Sequence, residues 1–180
     1  YIATIKLGIK TDTLDTTGEI IERKDFNITE PQIIEVLSSF LGKSTQVTPI
    51  YSAVKVNGKK LYEYAREGIK VELPTREINI TNIELISFNN DEIVFKTTVS
   101  KGTYIRALID DICKKLNTIG TMSSLIRTKQ GNFKIEESYT IEDIEKGNYK
   151  LITIEEALSN LETITIDEET YNKIKNGGLN

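Results

Sequence analysis

The sequence predicts an α+β fold on a mixed sheet. Three observations point there. Several β-rich segments alternate polar with apolar residues, one segment carries a long apolar stripe at helical spacing, and strands and helices intersperse without a regular βαβ alternation. A chain of 180 residues holds one domain, or one domain and part of another.

The elements follow in order. "YIATIKLGI" alternates and is rich in β formers, which predicts a strand over 1–9. "KTDTLDTTGE" is polar and reads as a loop, and "EIIER" as a short strand. In "TEPQIIEVLSSFLGK", Thr29 stands at the N-cap, Gln32 at the capping-box position and Gly42 at the closing position, so a helix is expected. "TQVTPIYSAVKVNGKKLYEYAREG" begins as a loop marked by Pro49 and ends in a short helix over 59–66. Strands are expected at 69–73, 76–87 and 92–100. A helix over 103–116 follows, because Tyr104, Ile105, Leu108, Ile109, Ile112, Cys113 and Leu116 fall on one face. "MSSLIRTKQGNF" reads as a strand ending at Gly131. Thr140 and Thr153 each open a short acidic helix, and "LETITIDEETYNKIKNGG" reads as a strand and then a helix.

Composition narrows the chemistry. The chain has no histidine and one cysteine, Cys113, which excludes Ser-His and Cys-His catalysis, internal disulfides and most zinc sites. Asp, Glu, Lys, Tyr or Arg must carry any reaction. A lone cysteine fits a reducing cytosol, and a cytoplasmic location is expected. No apolar run approaches the ~18 residues of a membrane span. The net charge of -4 hides blocks: +4 over 43–70, +5 over 101–134 and -7 over 135–180. Two basic segments permit an anion-binding face on an acidic protein.

Several short motifs fail on inspection. "GKS" at 42–44 lacks the glycine that a phosphate-binding loop needs at position 37, where Leu37 stands. "DTLDTTGE" has Leu14 where a calcium loop needs its third liganding residue. Ser52-Ala-Val-Lys55 matches S-x-x-K, but the companion motifs of an acyl-enzyme are missing. "PIYSAVKVNGKKLYEYAREG" is more informative. It interleaves Lys55, Lys59, Lys60 and Arg66 with Tyr51 and Tyr62, a pairing that tracks a phosphate backbone and stacks on bases. A solvated helix with Tyr62 and Ala65 packed inward accounts for it equally well. In "SKGTYIRALIDDICKKL", Arg106 sits near a helix N-terminus, which disfavours a cation. Either it pairs with Asp110 one turn on, or an anion lies across from it.

Four stretches, "GIKTDTLDTTGEI", "PIYSAVKVNGKKLYEYAREGIKV", "VSKGTYIRALIDDICKKL" and "SSLIRTKQGNF", occur in this order and spacing in the bacterial tRNA pseudouridine-55 synthases, the TruB family. From Tyr1 to about Phe133 the chain resembles that family. The resemblance implies a pseudouridine-synthase fold: a mixed, largely antiparallel sheet with flanking helices and a central RNA cleft. It implies an RNA uridine isomerase that flips a T-loop uridine out of the stack. The implied partner is the T stem-loop of tRNA, with no cofactor, metal or membrane, and the protein is expected to be a monomer.

By the same resemblance, Tyr1 stacks on the flipped uracil, Tyr104 lines its pocket, Leu125 closes it, and Arg106 pairs with the catalytic Asp. Lys55, Lys59, Lys60, Arg66, Lys101 and Arg127 are the expected RNA contacts. The family's nucleophile lies in a Gly-Leu-Asp-Pro type motif ahead of the tyrosine, and no such motif occurs among these residues. Asp12 and Asp15 belong to a different family motif and are not expected to be the nucleophile. The chain is therefore expected to be an N-terminally truncated piece, inactive alone. Residues 1–150 would be the C-terminal part of the catalytic domain. Residues 151–180 would be a linker helix and the start of an incomplete PUA-like RNA-binding domain. An RNA-binding module without chemistry is the alternative.

Overall fold

In "IATIKL" the alternation sends Ala3, Ile5 and Leu7 to one side. In the computed structural model, which describes residues 1–175 and 177, this segment is β1 (Ile2–Leu7), an interior strand of a five-stranded sheet. Gly8, at φ +78°, ends it, and β2 (Ile9–Thr11) leaves to pair with β3 (Ile20–Arg23). The expected strand over 1–9 is thus two strands hinged at a glycine, a left-handed conformation that glycine adopts freely.

The sheet runs β4 (Gly42–Val47), β7 (Thr75–Asn89), β8 (Glu92–Val99), β1, β9 (Gly120–Ile126). All four pairings are antiparallel, and Asp15 and Met122 add an isolated parallel bridge. In β7 the alternation of "REINITNIELISF" slips twice. Ile78 and Ile80 face the core, then Ile83 and Leu85, then Phe88. Bulges between Ile80 and Asn82 and between Leu85 and Ser87 return each set to the same face. Without them a one-residue slip would send half of these side chains to solvent.

Helix α1 (Glu30–Ser38) starts where expected, with Gln32 Oε1 accepting the Thr29 N–H at 2.9 Å. It closes at Ser39. Gly42, at φ +96°, opens β4 instead of capping the helix. Helix α3 (Ile105–Lys115) buries Ile105, Ala107, Leu108, Ile109, Ile112 and Cys113. These join Ile33 and Leu37 of α1 and the inward residues of β1, β7 and β8 in one core.

Other expectations are corrected as well. The segment after Thr45 is not all loop: "GKSTQV" is edge strand β4, held by its pairing with β7. No strand forms over 69–73, where the chain has no neighbour to pair with. The strand expected to reach Gly131 ends at Ile126, and a small ladder of β10 (Lys129–Gln130) and β11 (Phe133–Lys134) turns about that glycine. Between β4 and β7 the chain also makes a hairpin, β5 (Lys55–Val56) with β6 (Lys59–Lys60), before helix α2 (Leu61–Arg66). Its Asn57-Gly58 turn has both residues at positive φ, the I′ geometry for which that dipeptide is suited.

Residues Tyr1–Thr128 form one compact unit and Lys129–Asn180 another. In the second, α4 (Ile141–Glu145) and α5 (Ile154–Ala157) open on Thr140 and Thr153. Each threonine hydroxyl accepts an N–H three residues on, and the Asp143 or Glu156 carboxylate accepts the threonine N–H in return. Helix α6 (Glu168–Ile174) follows, and 161–166 is not a strand. No described residue of this unit is buried.

Candidate functional site

The site is built where two loops meet the first turn of α3. Arg106 is the second residue of that helix. Its Nη1 donates to the Thr13 carbonyl at 2.9 Å and to Asp15 Oδ2 at 3.1 Å, and its Nη2 donates to the Tyr51 carbonyl at 2.9 Å. A guanidinium has five N–H donors. Three are engaged, and the Nε–H and one Nη2–H have no partner among the described residues. The side chain is 23% exposed. Asp15 supplies the anion that makes a cation tolerable at a helix N-terminus.

Asp110 is not that anion. It binds Lys10 and Lys114, each at 2.7 Å, so the expected one-turn surface pair with Arg106 does not form.

Asp15 is fixed by its own loop. Its Oδ1 accepts from Thr13 Oγ1 at 3.0 Å, the Thr17 N–H at 3.1 Å and Thr17 Oγ1 at 2.5 Å. Burial pushes its carboxyl up, but the hydroxyls of Thr17 and Thr13, the Thr17 N–H and the Arg106 guanidinium outweigh burial and hold it below the usual carboxylate range. The loop is tied to β9 by Thr16 N–H to the Met122 carbonyl and by Met122 N–H to the Leu14 carbonyl. Asp12 accepts the Glu19 N–H at 2.9 Å and the Tyr51 hydroxyl at 3.1 Å. Gly18 has no room for a side chain, since a Cβ would lie 2.3 Å from Asp12 Oδ1. "DTLDTTGE" is therefore a carboxylate-presenting loop for an arginine.

Tyr104 is the N-cap of α3. Gln46 holds its backbone, and the Arg76 guanidinium lies 5.5 Å from the centroid of its ring. Tyr1 is half-buried against the core, and its carbonyl accepts the Thr97 N–H. Leu125, 39% exposed, lies across from Ala3 on β9. The strands are antiparallel, so Tyr1 at the start of β1, Leu125 near the end of β9 and the turn that leaves β8 share one end of the sheet.

Lys59 and Lys60 lie on β6, and Lys55 on β5. Lys60 and Arg66 lie 5.4 and 5.2 Å from the Tyr62 ring centroid, so two cations share one ring. Lys59 lies over Tyr64 and is paired with Glu67. Lys55, Lys101 and Arg127 are exposed, with no ion pair among the described residues.

Sequence reasoning missed Asp15, Tyr51, Gln46 and Arg76. The only available signal for Asp15 was the Asp/Thr density of its loop. The other three act through contacts remote in sequence.

The family model described as TruB family pseudouridylate synthase (N-terminal domain) matches residues 1–105, and that of the tRNA pseudouridylate synthase B C-terminal domain matches residues 106–164. The tRNA pseudouridine synthase B of Clostridium tetani is 46% identical over 180 residues, covering 98% of this chain and 62% of that protein. The same-named protein of Caldanaerobacter subterraneus is 45% identical over 179 residues, with coverage of 98% and 62%. That of Bacillus pumilus is 44% identical over 192 residues, with coverage of 99% and 62%. The chain thus spans 62% of the length of these curated relatives.

Among solved structures, a Cbf5–Nop10–Gar1 complex aligns with a TM-score of 0.58 and 27% identity, over 81% of this chain and 34% of that one. A chain of an H/ACA RNP bound to a substrate RNA containing 2'-deoxyuridine aligns at 0.53 and 23% identity, over 81% and 32%, and shows likeness of fold alone.

Proposed function

The chain belongs to the TruB family of pseudouridylate synthases, and we propose on that basis that it forms part of a tRNA pseudouridine(55) synthase acting on the T loop. The observation that carries this reading is Arg106, fixed by three acceptors on two loops yet left with two of its five N–H donors without a partner among the described residues. Those donors suit a second carboxylate, the nucleophilic Asp of the family's Gly-Leu-Asp-Pro motif, which these 180 residues do not contain.

The reaction needs no redox group and no co-substrate, because product and substrate are isomers. The aspartate attacks the nucleotide, the N1–C1′ bond breaks with its electron pair leaving on the base, the base turns, C5 bonds to C1′, the bond to the aspartate breaks so that its carboxylate is regenerated, and C5 loses a proton while N1 gains one. Arg106 orients the carboxylate before attack, and Asp15 holds Arg106 so that little reorganisation is needed in the transition state. Tyr104 and Tyr1 give the flipped uracil aromatic contacts, and Leu125 closes the pocket over it. Lys55, Lys59, Lys60, Arg66, Lys101 and Arg127 supply the cations that hold the RNA backbone.

The test joins this chain to a segment bearing the Gly-Leu-Asp-Pro motif and follows a T-loop RNA in single turnover. The joined protein should form pseudouridine, and the chain alone none. Arg106→Ala should lower the joined protein's rate by at least ~10²-fold, the scale of losing one preorganised electrostatic contact. Turnover by the chain alone would overturn the placement of the nucleophile. Salt-dependent binding without turnover in the joined protein would leave an RNA-binding module.

A further inference from the structure

We propose that Gln46 and Arg76, a cross-strand pair at the β4–β7 edge, are positioning residues that set where Tyr104 and Arg106 stand. The inference rests on the proposed function only for what those two residues then do to RNA.

Gln46 is the only buried residue of β4, 2% exposed on a strand otherwise open to solvent. A buried amide costs free energy unless both of its ends find partners. Both ends find the same residue, 58 positions away. Gln46 Oε1 accepts the Tyr104 N–H at 2.8 Å, and Gln46 Nε2 donates to the Tyr104 carbonyl at 3.1 Å. A side chain here makes the two-point contact that a neighbouring strand's peptide would make, and two points fix rotation as well as translation. Tyr104 has no side-chain oxygen placed to cap α3, so its backbone is held from outside the helix.

Arg76 faces Gln46 directly across the ladder, and directly opposed residues project to the same side of the sheet. Its Nη1 donates to the Gly102 carbonyl at 2.8 Å while its guanidinium lies over the Tyr104 ring. The approach is close enough that a Cβ on Gly102 would sit 2.4 Å from Arg76 Nη1, and Gly102 has φ +87°. The positive φ favours glycine there, and any side chain would have to displace the Arg76 guanidinium. Arg76 also keeps its buried Nε–H without a partner in this pose.

The pair thus grips the turn at Gly102 and Tyr104. Arg106 lies two residues beyond, on the same rigid helical turn, and must meet Thr13, Asp15 and Tyr51 together. A rotation of that turn would lose one acceptor or another, so the phase of α3 is what the pair controls.

The first measurement uses the 180-residue chain itself, isotope-labelled. Gln46→Leu keeps bulk and removes both hydrogen bonds, whereas Gln46→Glu keeps the acceptor for the Tyr104 N–H. Amide exchange at Tyr104 should speed by about tenfold in Gln46→Leu, the scale of one lost hydrogen bond, and stay near the parent rate in Gln46→Glu. The Arg106 guanidinium signals should move in Gln46→Leu. The second measurement is single turnover in the joined protein. Gln46→Leu should slow it by about tenfold with RNA affinity unchanged, and should add little to Arg106→Ala, because residues acting through one another are not additive.

Unchanged exchange and unchanged Arg106 signals in a folded Gln46→Leu protein would overturn the inference. So would a Gln46→Leu effect of full size on top of Arg106→Ala. If Gln46→Leu does not fold, Arg76→Lys, which loses the planar guanidinium over the Tyr104 ring, carries the same comparison of Tyr104 exchange and Arg106 signals. If the parent shows no turnover, the proposed function fails, while the exchange and guanidinium signals still decide whether Gln46 positions the turn.

Discussion

At the scale of single residues, Arg106 and Asp15 carry different energies. Their pair is about one-fifth exposed on each side, so most of its worth lies in geometry and only part in stability. Arg106→Lys keeps the charge, but a single ammonium cannot reach the Thr13 and Tyr51 carbonyls and Asp15 together. The lysine variant of the joined protein should recover only part of the turnover lost in Arg106→Ala. Acid unfolding provides a second readout. Asp15 and Asp110 are both held below the ordinary carboxylate value of 3.8, Asp110 because Lys10 and Lys114 outweigh its burial. A depressed native carboxyl adds stability that is present above the unfolded value and lost as pH falls through the native one. Asp15→Asn and Asp110→Asn should therefore each reduce stability at pH 7 and flatten its decline below about pH 4. An unchanged acid limb in the double variant would show that neither pairing matters to folding.

At the scale of elements, two glycines separate conformation from crowding. Gly58 and Gly102 both stand at positive φ, +82° and +87°, but a Cβ at Gly58 meets open space and one at Gly102 meets Arg76. Gly58→Ala should cost about 1 kcal/mol, the price of a side chain in that region. Gly102→Ala should cost more, and the excess should shrink in an Arg76→Ala background. Equal losses in denaturant titrations would mean that Arg76 gives way without cost. The same scale explains which elements could be read. Helix α3 follows from its local stripe. Strand β4 does not, because five of its six residues are exposed and its state depends on pairing with β7. The segment 69–73 has the composition of a strand, and without a neighbouring strand it stays a loop.

At the scale of the molecule, charge and burial are distributed unevenly. If the two basic blocks hold RNA, affinity should fall with salt at a log–log slope of about 0.7 per single-strand phosphate contact. Lys55→Glu and Lys101→Glu should lower that slope, since neither cation has an internal partner to replace among the described residues. Lys59→Glu should disturb the hairpin as well, because Lys59 is tied to Glu67. A slope near zero would return these cations to a solvated surface. Burial predicts a second asymmetry. Tyr1–Thr128 holds the whole described core, whereas Ile141, Leu151, Ile154 and Ile164 of the other unit are each at least 75% exposed. Limited proteolysis should cut within 129–175 well before it cuts β1, β8 or α3.

Local chemistry along the chain settles part of this structure. It placed the stripe of α3, the threonine caps of α1, α4 and α5, the alternation of β1, and the oddity of a cation in the first turn of a helix. Each signal lies within a few residues of what it explains. The folded chain sets which anion Arg106 meets, because Asp15 lies 91 residues away and Asp110, one turn along, is claimed by Lys10 and Lys114. It also decided that a polar segment becomes β4 and that Gln46 turns inward. A strand's partner and a buried amide's partner are long-range facts, fixed when the chain closes on itself and each buried polar group must find its match.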